Sequence, residues 1–233
     1  GEYTGVSEVH LDPRDPEVLY AVMHQRLRNV AVVMNGGPES GIHKSTDGGR
    51  TWRELTNGLP EEDMGKIGLA ISPVDPDVIY AIVEAQRKEG GVFRSVDRGE
   101  TWEKRSDTVS GGTGPHYYQE LVASPHAFDR IYIVDVRVQV SDDGGTTFRR
   151  LKEADKHSDN HALVFRPDDP DYLLAGTDGG LYESFDLAES WRFVAGGRFP
   201  KDNPYGTLEL MERPFYYTNV DADPTDAEHV ADM

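Results

Sequence analysis

The stretch STDGGRTW, residues 45–52, decides how the rest of the chain is read. It returns as SVDRGETW at 95–102, SDDGGTTF at 141–148 and SFDLAESW at 184–191. A Ser, an Asp two residues on, a small residue, then Thr or Ser before an aromatic is too demanding a pattern to recur by chance. The closing aromatics are Trp52, Trp102, Phe148 and Trp191, spaced 50, 46 and 43 residues apart. A second landmark precedes each copy: LDPRDPEVLYAV (11–22), ISPVDPDVIYAI (71–82), ASPHAFDRIYIV (123–134) and FRPDDPDYLLAG (165–176), with a fifth, ADPTDAEHVADM, at 222–233.

Inside one repeat the apolar pattern is short and has period two. Val9 and Leu11 alternate, Val18 to Val22 form a continuous apolar run, Ile42 leads into the motif, and Trp52 and Leu55 follow it. Such runs, broken by Pro, Gly and Asp, read as strands, and no window shows helical periodicity. Four short strands in ~40–50 residues make a β-propeller blade. The expected fold is therefore all-β: a propeller of four-stranded antiparallel blades, incomplete, with about four blades plus the start of another. Residues 1–194 are expected to hold the four blades. Residues 195–214 read as an irregular connection that joins non-adjacent segments, and 215–233 as the truncated start of a further blade.

The motif has a mechanical reading. It falls between the third and fourth strands of each repeat. Asp47 can fold its carboxylate onto backbone N–H groups of the turn, Gly48 and Gly49 supply positive φ, and Trp52 is expected to tuck under the turn as an apolar plug. By this reading Asp47, Asp97, Asp143 and Asp186 hold hairpins, with Trp52, Trp102, Phe148 and Trp191 packed against them, and catalyse nothing. The fourth copy has Ala188 in place of Gly and Ser190 in place of Thr, so its turn is expected to be looser.

Composition narrows the partners. There are 42 acidic and 24 basic residues, a formal charge of −18, which excludes a nucleic-acid surface built on clustered Lys and Arg. No run approaches the ~18 apolar residues of a membrane span. The absence of Cys excludes disulfides, Cys-ligated zinc and a Cys nucleophile. The chain starts at Gly1 without a Met, so a missing signal segment says nothing about export.

The repeated SxDxGxTW resembles the Asp-box, or BNR repeat, over residues ~5–194. Asp-boxes occur in sialidases, in sortilin-type propellers, in xyloglucan-cleaving endoglucanases of glycoside hydrolase family 74, and in a photosystem II assembly factor. The phrases GPESGIHKSTDGGRTW, DMGKIGLAISPVDPDVIYAIVEA and HSDNHALVFRPDDPDYLLAGTDGGLYESFD resemble large bacterial proteins of the sortilin-type and family-74-like kind. Sialidases use an Arg-Ile-Pro segment and an arginine triad on an anionic sugar. No Arg-Ile-Pro occurs here, which argues against that activity.

In a propeller the first strand of each blade lines the channel, so chemistry is expected near the first strands rather than at the motifs. The candidates there are Ser7, Glu8, Asp63, Lys66, His116, Tyr117, Tyr118, Gln119, Glu120, the segment HSDNH at 157–161, Tyr216 and Tyr217. Paired carboxylates serve glycosidic hydrolysis, and the candidates for that pair are Glu8, Asp63, Glu120 and Asp159. Tyr118, Gln119, His157, Asp159 and His161 are the expected ligand contacts. In an extended chain His157, Asp159 and His161 project to one face and offer a divalent metal site; the bland alternative is a solvated strand start, and otherwise no cofactor is expected. One Tyr of each adjacent pair is expected to face the core. HQRLR at 24–28 is expected to pair with acidic neighbours, and NGGPESG at 35–41 reads as a loop, not a phosphate site.

These residues lead first to a non-catalytic recognition or scaffold propeller of an exported bacterial protein, binding glycan or protein at the channel face. The alternative is a glycoside hydrolase acting on a neutral polysaccharide through paired channel carboxylates; an assembly factor for a membrane complex is a third. The expected location is extracytoplasmic, with the remaining blades or partner subunits as further partners.

Overall fold

The computed structural model describes residues 1–111, 114–115 and 117–195, together with the backbone of two short strands at 220–222 and 230–232. His116, Tyr216, Tyr217 and most of the segments read as the connection and the further blade lie outside the described residues. No α-helix is present among the described residues.

The chain divides into two compact units. The first comprises Gly1–Leu151 with Pro167–Pro170, the second Lys152–Arg166 with Asp171–Met233. The first unit holds three four-stranded antiparallel meanders. The first is β1 (Thr4–Asp12), β2 (Asp15–Gln25), β5 (Gly41–Ser45) and β6 (Arg53–Leu55), with a small hairpin, β3 (Leu27–Arg28) and β4 (Val33–Met34), inserted between its second and third strands. The second is β7 (Met64–Ile71), β8 (Ile79–Ala85), β9 (Gly91–Ser95) and β10 (Glu103–Ser106). The third is β11 (Glu120–Ala123), β12 (Ile131–Val134), β13 (Gln139–Ser141) and β14 (Arg149–Arg150). The second unit holds, apart from Asp169 and Pro170, a fourth meander, β15 (Asn160–Arg166), β16 (Asp169–Thr177), β17 (Gly180–Ser184) and β18 (Arg192–Ala195), and the strand pair β19 (Val220–Ala222) and β20 (Val230–Asp232). The expected all-β propeller of four-stranded blades is thus observed.

Alternation explains how the blades of the first unit stack. Successive side chains of a strand point to opposite faces. In β8, Ile79, Ala81 and Val83 join Val18, Tyr20, Val22, Ile42 and Leu55 of the first blade in one buried cluster. Tyr80 and Ile82 point the other way and pack with Leu121, Ala123, Ile131 and Ile133 of the third blade. A strand buried on both faces must be apolar at every position, which is why VIYAIV is continuous. Each fully buried side chain of this kind contributes roughly 1.5–3 kcal/mol. The tyrosines add a polar tie. The Tyr20 hydroxyl donates to the carbonyl of Arg98 at 3.1 Å and that of Tyr80 to Phe128 at 3.5 Å. Burial pushes the Tyr20 phenol up to about 12, so it remains a donor.

The four motif turns are built alike. In the first, the Ser45 hydroxyl donates to Asp47 Oδ1 at 2.8 Å and accepts the Gly49 N–H at 2.9 Å. The Thr51 N–H and hydroxyl donate to the two oxygens of Asp47 at 2.8 and 2.6 Å. The same set links Ser95, Asp97, Gly99 and Thr101, and Ser141, Asp143, Gly145 and Thr147. The fourth turn is not looser. Ala188 adopts φ +68°, its N–H reaches Ser184 Oγ at 2.9 Å, and the Ser190 hydroxyl replaces threonine's at 2.6 Å from Asp186. Backbone strain at Ala188 is borne by the bonds around it.

The aromatics differ. Trp102 and Trp191 are buried, but Trp52 is 41% exposed, so it does not plug its turn. Its indole N–H bonds the Gly49 carbonyl at 2.9 Å, as Trp102 bonds Gly99 at 3.1 Å. Trp191 donates instead to Lys152 O at 2.7 Å. Phe148 is partly buried against the second core cluster.

Candidate functional site

The first strands of the three blades in the first unit meet at an open cleft of about 690 Å³. β1 contributes Glu8 and His10, which share a face by alternation; β7 contributes Lys66; and Glu120, with Tyr117 just before it, comes from β11. Both β1 and β7 break register here, β1 between Val6 and Glu8, β7 between Met64 and Ile67. Such bulges re-aim side chains and free backbone amides. The Lys66 N–H is taken up by Glu84 Oε2 at 3.2 Å.

Glu8 joins two blades. Its Oε2 accepts the N–H of Leu69 at 3.0 Å and lies 3.0 Å from His10 Nε2. Lys66 Nζ lies 3.8 Å from Glu120 Oε1. The cleft therefore presents two carboxylates from different blades, an imidazole, an ammonium and a phenol ring. That set can accept and donate hydrogen bonds to sugar hydroxyls and supply a proton-transfer pair.

Of the four carboxylates singled out from sequence, Glu8 and Glu120 share this cleft. Asp63 lies in a second cleft of about 810 Å³ with Glu54, Glu61 and Glu62. Asp159 belongs to the second unit. Tyr118 and Gln119, chosen as ligand contacts, are 7% and 0% exposed, whereas Tyr117 is 43% exposed. One tyrosine of the pair faces the interior, as expected, but both precede β11, Gln119 after them adopts φ +76°, and the one open to the cleft is Tyr117. Gln119 is joinery: its N–H donates to Ser110 Oγ at 2.9 Å, its Oε1 accepts the Ser110 N–H at 2.9 Å, and its Nε2 reaches Lys66 O at 3.4 Å.

The HSDNH segment is not extended throughout. Asp159 adopts φ +59°, which breaks the alternation that would put His157, Asp159 and His161 on one face. His157 Nδ1 lies 2.6 Å from Ser158 O. His161 Nε2 pairs with Asp178 Oδ1 at 2.7 Å, and the Asp178 N–H donates to Asp159 O at 3.0 Å. Asn160 is buried. Among the described residues no group of three or more His, Cys, Asp or Glu side chains is gathered to hold a metal ion. Asp178 was not singled out from sequence. Its only signal is the turn phrase TDGG at 177–180, which reads as hairpin chemistry. The HQRLR segment also behaves differently from expectation: Arg26 lines the cleft, and Arg28 bonds the Tyr117 hydroxyl rather than an acidic neighbour.

No family model matches the chain. An oligoxyloglucan-reducing end-specific xyloglucanase of Emericella nidulans is 26% identical over 210 residues, which is 75% of this chain and 26% of that protein. A xyloglucanase of Acetivibrio thermocellus is 25% identical over 218 residues, 82% of this chain and 25% of that protein. This chain thus spans about a quarter of the length of the curated relatives it matches. Among solved structures, an ancestral GH74 enzyme superposes with a TM-score of 0.58 at 17% identity, over 83% of this chain and 24% of that one. YCF48 from Cyanidioschyzon merolae does so with a TM-score of 0.52 at 11% identity, over 99% and 71%. The structural likeness is one of fold. In sequence and in fold the chain is similar to GH74-type β-propellers.

Proposed function

We propose that the chain belongs to a glycoside hydrolase that acts on a neutral polysaccharide of the xyloglucan class, with Glu8 and Glu120 as the carboxylate pair. The observation that carries this reading is their convergence, from different blades, on one open cleft with Lys66 and Tyr117. The curated relatives, both named xyloglucanases, favour it over a non-catalytic scaffold. The lining, in which Glu8 and Glu120 are balanced by Lys66 and Arg26, suits a neutral sugar better than an anionic one. A polymeric glycan also suits an extracytoplasmic site of action. The motif turns, whose Ser, Asp and Thr bond as described, are read as Asp-boxes of the sortilin and family-74 kind, with a purely structural role.

Hydrolysis needs one carboxyl group to protonate the glycosidic oxygen and a second to attack the sugar or activate water; separations of ~5–5.5 Å give retention and ~6.5–9.5 Å inversion. Glu8, with the His10 imidazole beside it as a proton relay, suits the acid. Glu120, counter-charged by Lys66, suits the nucleophile or base. The test is release of reducing ends from xyloglucan by the purified protein, with cellulose and sialyllactose as controls. Xyloglucan turnover abolished by Glu120→Gln is the expected result. Turnover that survives both Glu8→Gln and Glu120→Gln overturns the assignment.

A further inference from the structure

Among the described residues only the first blade carries an inserted hairpin, β3–β4. That hairpin reaches Tyr117, 89 residues later in the chain. Arg28 Nη1 donates to the Tyr117 hydroxyl, and the guanidinium carbon lies 5.5 Å from the ring centroid. One side chain thus fixes both the tip and a face of the ring. The ring nonetheless stays 43% exposed and lines the cleft beside Glu8, Lys66 and Glu120, while Tyr118 next to it takes the buried place. The Tyr117 ring is held in place and left open to the cleft.

We propose that Tyr117 is a stacking platform for a pyranose ring of a neutral glycan, with Arg28 as its positioning residue; this rests on the glycan reading above. The apolar C–H face of a sugar ring lies flat on an aromatic ring, while its equatorial hydroxyls project sideways. Here Glu8 and Glu120 can accept from those hydroxyls and Lys66 can donate. With Lys66 and Arg26 balancing the two carboxylates, the cleft has no net positive charge to favour an acidic sugar. A ring fixed before binding loses no rotamer freedom on binding, and fixing one side chain is worth roughly two- to tenfold in affinity.

The experiment is calorimetric titration of the purified protein with xyloglucan oligosaccharide and with cellotetraose. Tyr117→Ala should weaken binding at least about tenfold, in line with the cost of losing an aromatic stacking partner. Tyr117→Phe, which keeps the ring but loses the hydroxyl acceptor, and Arg28→Ala should each weaken it about two- to tenfold. Because Arg28 acts through Tyr117, adding Arg28→Ala to Tyr117→Ala should cost nothing further, a non-additivity that a merely structural arginine would not produce. Both sites are exposed enough that melting temperatures should hold. Glycan binding that survives Tyr117→Ala overturns the platform and leaves the glycan reading standing. A wild-type protein that binds neither sugar overturns both.

Discussion

Lys156 and Glu153 form an ion pair of 2.6 Å in which the two side chains are 0% and 2% exposed. Asn160 completes the network: its Nδ2 donates to Glu153 Oε1 at 3.1 Å and its Oδ1 accepts from Lys156 Nζ. Lys156 also donates to the His157 carbonyl at 3.0 Å and sits 5.2 Å from the centre of the Trp191 ring. The segment leading into β15 is therefore tied down by a buried charged network.

Removing one partner of a buried pair leaves the other charge uncompensated, which costs about 3–5 kcal/mol, whereas replacing both by apolar residues of similar volume is often neutral. Lys156→Met and Glu153→Leu should each lower the urea midpoint severely, and the double variant should recover much of the loss. Single variants whose effects are small and simply add would show that the pair is not coupled.

The motif aspartates make stability sensitive to acid. The Thr51 hydroxyl and N–H hold Asp47 down to about 2; Thr147 and Ser190 do the same for Asp143 and Asp186. For Asp97, burial opposes the shift but the bonds from Thr101 prevail, and it too is lowered. An unfolded aspartate titrates near ~3.9. A folded value below the unfolded one means the unfolded state binds protons first as pH falls. The stabilisation is therefore present above about pH 4 and is lost between about 4 and 2. Melting temperature should be flat from pH 7 to 5 and fall steeply below 4. Thr147→Val should raise the Asp143 titration midpoint, as read by carboxyl-carbon NMR, and move the acid transition upward. An Asp143 midpoint left unmoved would sink this account.

Gly68 marks where β7 passes the chain leading into β11. A Cβ built there would lie 1.9 Å from the backbone oxygen of Gln119. That atom belongs to a residue fixed by three hydrogen bonds, so it cannot yield cheaply. Gly68→Ala should destabilise the protein by at least the ~1–3 kcal/mol typical of overpacking, measured by denaturant titration. Gly5, around whose Cβ there is open space, provides the control: Gly5→Ala should be near neutral.

The repeated motif made the blades legible because each turn must satisfy the same backbone amides with the same three side chains, and only a few residue types can. The apolar run VIYAIV reported a strand buried on both faces. The site was legible only in part. Glu8 and Glu120 could be placed near first strands, but the bulges at Ser7 and at Gly65–Lys66 that aim residues into the cleft leave no mark in composition. Which of Tyr117 and Tyr118 faces inward is set in the loop before β11, where Gln119 takes φ +76° and no strand alternation applies. Lys156 and Glu153 were not singled out from sequence; Lys156 packs on a tryptophan more than thirty residues away. The β3–β4 hairpin escaped because its residues, Val30, Val32 and Val33 among them, are exposed and follow no core pattern.

Glu8 allows fold and chemistry to be separated at one position. Its carboxylate accepts the N–H of Leu69, a residue only 1% exposed, and in the proposed reaction it donates the proton. Glutamine keeps an acceptor oxygen of the same reach but cannot serve as an acid. Alanine leaves the Leu69 amide without its partner, which costs about 1–3 kcal/mol for a buried donor. Glu8→Gln should therefore keep the melting temperature and lose roughly 10²–10⁴-fold in xyloglucan turnover, the usual worth of a positioned acid or base. Glu8→Ala should lose both stability and turnover. The distinguishing assay uses an aryl glycoside whose leaving group needs no proton: Glu8→Gln should retain far more activity on it than on xyloglucan. Equal losses on the two substrates would remove Glu8 from the role of acid and return it to a purely structural bond between the first two blades.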